Sequence, residues 1–251
     1  NQMLRTIVCD DEAPALELIE GMLRDTGEVA IEGAYLSVLD AIERINAGGI
    51  DLAVLDVEMP ILTGVEASEQ ITVDPKPLIV FATAHPEYAV EAFGLDAIDY
   101  VLKPFDRHRI AKAVEKAIRF RQLIEQSEQE VQGEGDDNRA DPPAMLRIKD
   151  SGRYYFMPHH DVLWIEAAGD YSLLHTQDKE AAIRRTIKSL ETDLPADRFV
   201  RIHRSSIVSI EHIREIRMLH KGEAQILLTD GTIVRTSRSY RDVIQKLIDD
   251  L

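Results

Sequence analysis

The 251-residue chain has a single cysteine, no run of eighteen consecutive apolar residues, no internal repeat and no helix-turn-helix pattern. One thiol cannot make an internal disulfide, and a cysteine-rich zinc site is excluded. Without a long apolar run no helix is expected to span a membrane. The chain passes straight into Leu4-Arg5-Thr6-Ile7-Val8-Cys9, with no basic segment ahead of a long apolar core, so no signal peptide is expected. These absences together point to the cytoplasm. Cys9 itself lies in the apolar run and reads as a buried strand residue. What is present is the balance of a globular protein, 45% hydrophobic and 29% charged, with room for two ordinary domains.

The formal net charge of −16 argues at first against a nucleic-acid partner, but the charge is unevenly placed. Residues 1–143 hold 12 Lys and Arg against 29 Asp and Glu, a net of −17, while residues 144–251 hold 17 against 16 and six of the eight histidines. The second part therefore remains open to an anionic partner if its arginines share a face. Between the two, residues 126–143 read QSEQEVQGEGDDNRADPP, polar and acidic, a linker that cannot bury a core. The expected domains are 1–125 and 144–251, joined by the end of a helix and this linker.

Residues 1–125 alternate strand and helix. Strands are expected at 4–9, 29–35, 52–55, 78–82 and 100–102, and helices at 13–24, 37–47, 65–71, 86–93 and from 106 to about 129. Five strands alternating with five helices indicate an α/β fold, a five-stranded doubly wound parallel sheet. Its site is expected outside the carboxyl ends of the strands, where the strand order switches. Residues 145–251 instead carry short β-rich runs at 145–149, 154–157, 162–166, 171–176, 181–185, 213–219, 224–228 and 233–236. Asp230-Gly231 is a hairpin signal. Helices are expected at 186–194 and 239–251, with Ser239 as N-cap of the last. This second domain reads as mostly β.

Acids stand at the carboxyl ends of two strands, Asp10-Asp11 after the first and Asp56 after the third. The fourth ends at Ala82-Thr83 and the fifth at Lys103-Pro104. Strand order brings three carboxylates, a hydroxyl and an ammonium into one crevice. Three carboxylates there repel one another unless a cation joins them, and Mg²⁺ fits, since it binds through a few carboxylates and bridges to a phosphoryl group. Lys103 can then pair with phosphoryl oxygens and Thr83 can hydrogen-bond them. Val8-Cys9-Asp10-Asp11-Glu12, Leu55-Asp56-Val57-Glu58-Met59-Pro60 with Gly64, Phe81-Ala82-Thr83-Ala84 and Tyr100-Val101-Leu102-Lys103-Pro104-Phe105 follow in order and spacing. On these motifs residues 1–125 resemble the receiver domain of bacterial response regulators, a flavodoxin-like fold.

The resemblance implies that Asp56 accepts a phosphoryl group from a histidine kinase. It implies Mg²⁺ held by Asp10, Asp11, Asp56 and the Glu58 backbone carbonyl, and a cis peptide before Pro104. The Glu58 side chain either tunes phosphoryl lifetime or faces solvent. Tyr100 occupies the family's switch position: Thr83 moves toward the phosphoryl group and Tyr100 turns inward. The output surface is expected on helix 86–93, strand 100–102 and the last receiver helix, used to form a homodimer on phosphorylation. That helix carries a partial heptad, Ile110, Val114, Ala117, Arg121 and Ile124, interrupted by Arg121.

In the second domain, Phe199-Val200-Arg201-Ile202-His203-Arg204-Ser205-Ser206-Ile207-Val208 is apolar at alternate places and dense in donors. Arginine reads guanine edges or clamps phosphates, although on many surfaces it serves only solubility. The pair His159-His160 lacks a cysteine or third close histidine to make a metal site. Asp161-Val162-Leu163-Trp164-Ile165-Glu166-Ala167-Ala168-Gly169-Asp170-Tyr171, Phe199 to Ser205, and Thr236-Ser237-Arg238 together resemble the LytTR DNA-binding domain. That family is a ten-stranded β-fold that inserts loops into successive major grooves. The resemblance implies direct-repeat sites in double-stranded DNA, with base contacts from near Tyr171, Arg204 and Arg238 and with Arg201, His203 and Ser205 nearby. His203 and Ser205 are alternatively the residues that hold the turn. A phosphorylation-controlled transcription regulator leads. A receiver governing a protein- or RNA-binding β module is the alternative. A hydrolytic enzyme is disfavoured, because nothing lines a pocket for more than a small phosphodonor.

Overall fold

The computed structural model describes residues 3–84, 97–129, 145–150, 153–219 and 222–250. The helix expected at 86–93 and all but the first few residues of the 126–143 linker lie outside these. The chain divides into two compact units, the main division falling between Gln122 and Leu123. No described helix is long and apolar enough to cross a membrane.

In the first unit the strands β1 (Leu4–Cys9), β2 (Val29–Tyr35), β3 (Leu52–Asp56), β4 (Leu78–Thr83) and β5 (Ala97–Leu102) form one parallel sheet in the order β2-β1-β3-β4-β5. The inner strands are continuous apolar runs because helices cover both faces. Cys9 of β1 is opposite Leu55 of β3, Asp56 is opposite Ala82 of β4, and Thr83 is opposite Leu102 of β5. The carboxyl ends of four strands thus share one level. Cys9 is buried, its Sγ 3.4 Å from Met59 Sδ.

Local chemistry sets the helix starts. Pro14 opens α1 (Ala13–Asp25) and the Ser37 side chain caps α2 (Val38–Asn46). At α3 (Gly64–Glu69) Thr63 and Glu66 form a capping box, each satisfying the other's backbone N–H. Helix α4 (Arg107–Gln129) buries Ile110, Ala113, Val114, Ala117, Phe120 and Ile124. This corrects the heptad reading. The stripe Ile110, Val114, Ala117 is no more than 2% exposed within the chain itself, so it is a covered core face and not a free dimer seam. Arg121, which broke the stripe, reaches to 3.6 Å from Asp51. Asp51 is buried at the start of β3 and accepts both a bidentate pair and a backbone N–H from Arg5. Arg5 holds the Asp51 carboxyl below the usual range, against the opposing effect of burial.

The second unit contains ten strands among its described residues. A hairpin, β6 (Met145–Asp150) and β7 (Arg153–Pro158), stands apart from a five-stranded sheet ordered β10-β9-β8-β12-β11. Those strands are β8 (Val162–Ala168), β9 (Tyr171–Thr176), β10 (Glu180–Ile183), β11 (Phe199–His203) and β12 (Ser206–Ser209). A three-stranded sheet follows, β13 (Ile213–Met218), β14 (Ala224–Leu228) and β15 (Ile233–Arg235). One core gathers Val162, Ile165, Leu174 and Phe199 with Ile187 and Leu190 of α5 (Ile187–Asp193). The other gathers Leu163, Ile202, Val208 and Ile226 with Ile244 of α6 (Arg241–Asp250). The expected hairpin at Asp230-Gly231 is present, with Gly231 in the left-handed region. Ser239 is not an N-cap. It lies inside a single 3-10 turn, Arg238–Tyr240, closed by the Tyr240 N–H donating to the Ser237 carbonyl before α6 begins.

The loop from β3 to α3 is a close approach of backbone to backbone. A Cβ on Gly64 would lie 2.1 Å from the Asp56 carbonyl oxygen, so only glycine allows the helix to start this close to the strand end. Three residues earlier Ile61, exposed and β-branched, has φ 76°. Gly64→Ala is expected to lower unfolding stability by about 2 kcal/mol. Ile61→Asn is expected to raise it by about 1 kcal/mol. Urea unfolding of the two variants checks this; equal midpoints would show that the loop shifts freely.

Candidate functional site

Asp10 directly follows β1 and Asp56 ends β3, and the strand register sets them side by side. Carboxylate oxygens of Asp10, Asp11 and Asp56 lie within 4.8 Å of one another, with Asp10 and Asp56 buried and Asp11 exposed. Lys103 Nζ is 2.6 Å from Asp56 Oδ2 and 2.8 Å from Asp10 Oδ2, with Glu12 at 3.6 Å. The lysine is placed by its own backbone. Its N–H donates to the Thr83 carbonyl at 2.7 Å and the Lys103–Pro104 peptide is cis. The Glu12 and Glu58 N–H groups donate to Asp10 Oδ1 and Asp56 Oδ1. Thr83 is fully buried, and Glu58 is exposed. Tyr100 is already turned inward in this structure, stacked on Phe81 with ring centroids 5.5 Å apart.

Burial lifts Asp56 above its ordinary value; the Lys103 bond pulls it back and neighbouring Asp10 lifts it again. Burial alone would lower Lys103, yet its bonds to Asp10 and Asp56 outweigh that and raise it. Three carboxylates face one ammonium, which leaves two negative charges to be balanced. An all-oxygen donor set of this spacing and charge fits one hard divalent cation.

The second unit brings together the end of β8, the β11–β12 turn and the 238–240 turn. The Ala167 N–H donates to the Ser205 carbonyl at 2.9 Å, which ties the end of β8 to the β11–β12 turn. Within that turn His203 is buried. Its Nδ1 accepts the Ser205 N–H at 3.2 Å and lies 2.7 Å from Ser205 Oγ. The Arg201 guanidinium donates to the carbonyls of His203 and Arg204 and pairs with Glu191 at 2.6 Å. Tyr240 lies in the field of Arg201, Glu191 and Arg204, which brings the 238–240 turn beside the 204–205 turn; burial pushes its phenol up. Arg238 is exposed, 3.4 Å from Glu223.

Residues 6–115 match the family of the response regulator receiver domain, and residues 152–249 that of the LytTr DNA-binding domain. The sensory transduction protein LytT of Bacillus anthracis is 32% identical over 98% of this chain and 99% of its own length. The chain belongs to the LytTR response regulators. The transcriptional regulatory protein BtsR of Escherichia coli strain K12 is 30% identical over 98% of this chain and 99% of its own. Among solved structures, the response regulatory domain of protein mrkE from Klebsiella pneumoniae is 33% identical, with a TM-score of 0.44 over 47% of this chain and 97% of that one.

In this LytTR regulator the receiver residues named from sequence, Asp10, Asp11, Asp56, Thr83 and Lys103, meet at one strand-end level. The six named in the DNA-binding domain separate. Arg238 projects, and Arg204 and Ser205 are half-buried on the turn. Tyr171 is buried, unlike Arg204 and Arg238 with which it was grouped; Arg201 is engaged with Glu191 and the turn, and the buried His203 bonds to Ser205 as the turn-holding alternative expects. Glu191 and Tyr240 were missed from sequence. A residue on α5 and one in a 3-10 turn meet Arg201 only through tertiary packing, and no periodicity signals it.

Burial, with the Arg204 and Arg201 charges, pulls the His203 imidazole down to about 4. Its folded value lies below its unfolded value, so unfolding takes up a proton between them. Stability is therefore present at neutral pH and lost as pH falls from 6.5 toward about 4. The expected loss from this group between pH 7 and pH 5 is about 2 kcal/mol. In His203→Gln that part of the slope should vanish in urea unfolding. An unchanged slope would mean that the ring is not held neutral.

Proposed function

We propose that this LytTR regulator is a phosphorylation-controlled transcription factor acting in the cytoplasm, with its receiver at 1–125, a connecting segment at 126–143 and its DNA-binding domain at 144–251. The observation that carries the reading is the Lys103 ammonium lying on both Asp56 and Asp10 beside Asp11. Asp10, Asp11, Asp56 and the Glu58 backbone carbonyl would hold Mg²⁺, which supplies charge neutralisation for the incoming phosphoryl oxygens. The Asp56 carboxylate attacks phosphorus of the phosphohistidine of a sensor histidine kinase. The P–N bond breaks, the electron pair stays on the histidine nitrogen, and an acyl phosphate forms. Lys103 turns from Asp56 oxygen to phosphoryl oxygen, and the Thr83 hydroxyl donates to another. Thr83 and Tyr100 pass the change to β5 and α4. Since the apolar stripe of α4 is internal, the homodimer surface falls on the outer side of α4 and on edge strand β5, where Leu102 is 41% exposed.

Acetyl phosphate with Mg²⁺ should label the wild type. Asp56→Asn should abolish labelling, chelation of Mg²⁺ should suppress it, and Asp25→Asn on α1 should leave it intact. Light scattering should show the mass rising from monomer toward dimer with beryllofluoride, which mimics the phosphoryl group. Labelling that survives Asp56→Asn removes the assignment.

On double-stranded DNA carrying direct repeats, Arg204 and Arg238 are the contacts this reading places at the surface, with Ser205 beside them. Tyr171, Arg201 and His203 support the turns from within. If Arg238 makes a bidentate base contact, Arg238→Ala should cost about 1–3 kcal/mol and relax specificity at one position. If it meets phosphate alone, affinity should fall evenly and the salt slope should drop by about one unit. The same measurement applies to Arg204→Ala, with Arg24→Ala on α1 as control. Wild-type affinity and salt slope in both variants would move the reading to a protein or RNA partner.

A further inference from the structure

His175 of β9 is buried between two acids on the strands that flank it. Its Nδ1 lies 2.8 Å from Glu180 Oε1 on β10, and its Nε2, shielded from solvent, lies 3.5 Å from Glu166 Oε2 on β8. Glu180 is the direct cross-strand partner of His175. The ring is stacked on Trp164 of β8, centroids 4.1 Å apart and planes 5° from parallel. The groups facing the imidazole from the neighbouring strands are thus two carboxylates and one electron-rich indole face.

A charged ring carries a proton on each nitrogen, one for each carboxylate, and its positive charge is favoured over the indole. A neutral ring has one proton. Its other nitrogen then turns a lone pair toward a carboxylate in a place water does not reach. Glu166 is opposite Ser206 of β12, and the next residue, Ala167, donates its N–H to Ser205 of the Arg204 turn. The strand that the protonated ring grips is therefore the strand on which that turn rests.

We propose that His175 is a proton-operated clasp: protonated, it ties β8 to β10 through Glu166 and Glu180, and loss of the proton loosens the support of the Arg204 turn and weakens DNA binding. The first half stands on the cluster itself, and the second rests on the DNA-binding reading above. Burial alone would pull the imidazole down, but the charge of Glu166 at 3.5 Å and the bond and charge of Glu180 outweigh it and hold it above its ordinary value. A raised value gives stability that is present at low pH and lost as pH rises through the folded value.

Trp164 is the sole tryptophan of the chain, so its emission reports on the ring stacked against it. In the full chain, emission titrated with pH should show a step centred above 6.5. His175→Gln should remove the step. Glu180→Gln, at a partly exposed partner, should shift it to lower pH and covers the case in which His175→Gln folds poorly. Affinity for a selected DNA site at fixed salt should fall about fivefold or more across the step in the wild type and not in His175→Gln. No step, or a step that neither substitution moves, overturns the clasp. A step without an affinity change overturns the control of DNA binding and leaves the titration standing. Failure of every variant to bind DNA at any pH would sink the DNA-binding reading, while the emission step would still decide the clasp.

Discussion

The pull of one ammonium on two buried carboxylates organises the receiver. Lys103 reaches Asp56 and Asp10 because β5, β4, β3 and β1 end at one level, and that level is set by ladder register between apolar strands. Slide any of these strands by one residue and the cluster loses a member, since alternate side chains face opposite sides of the sheet. The cis peptide at Pro104, the Thr83 carbonyl and the close start of α3 at Gly64 all serve the same geometry. The pocket stays short of positive charge even so, and that shortage is its chemical character.

The DNA-binding domain is built the opposite way. Its arginines are numerous, but several are tied down: Arg201 to Glu191, Arg185 to Asp193, Arg217 to Glu215. These pairs hold three of the twelve arginines of residues 144–251 to the fold. His203 and His175 make the contrast again within one sheet. One is held down by burial and flanking arginines, and the other is held up, against its burial, by flanking acids.

Much of this was legible in the linear chain, and for physical reasons. Buried parallel strands are uninterrupted apolar runs, so 4–9, 52–55 and 78–82 stood out, and the acids directly after the first two could only crowd the strand ends. The stripe Ile110, Val114, Ala117 was legible as apolar but not as inward. A helix period says that one face is covered and is silent on whether its own sheet or another molecule covers it. Ser239 failed as an N-cap because a 3-10 turn came first, a choice made by the Ser237–Tyr240 hydrogen bond. Motif position picked out Tyr171 and Arg201 without telling that both sit in strands, at the start of β9 and within β11, or which way their side chains point. Glu166, His175 and Glu180 meet across three strands, and only the register of the folded sheet assembles them.

Cys9 closes the account of the receiver from another side. Burial first, and then the nearby Asp10 and Asp56 charges, push its thiol up to about 12, so almost no thiolate exists at neutral pH. Burial in β1, reinforced by the same negative field that suits the pocket to a cation, therefore keeps the chain's one sulfhydryl in its unreactive form. Alkylating or oxidising reagents meet it only when β1 leaves the sheet, which makes Cys9 a built-in clock for opening of the receiver and leaves the folded protein blind to thiol-directed redox signals.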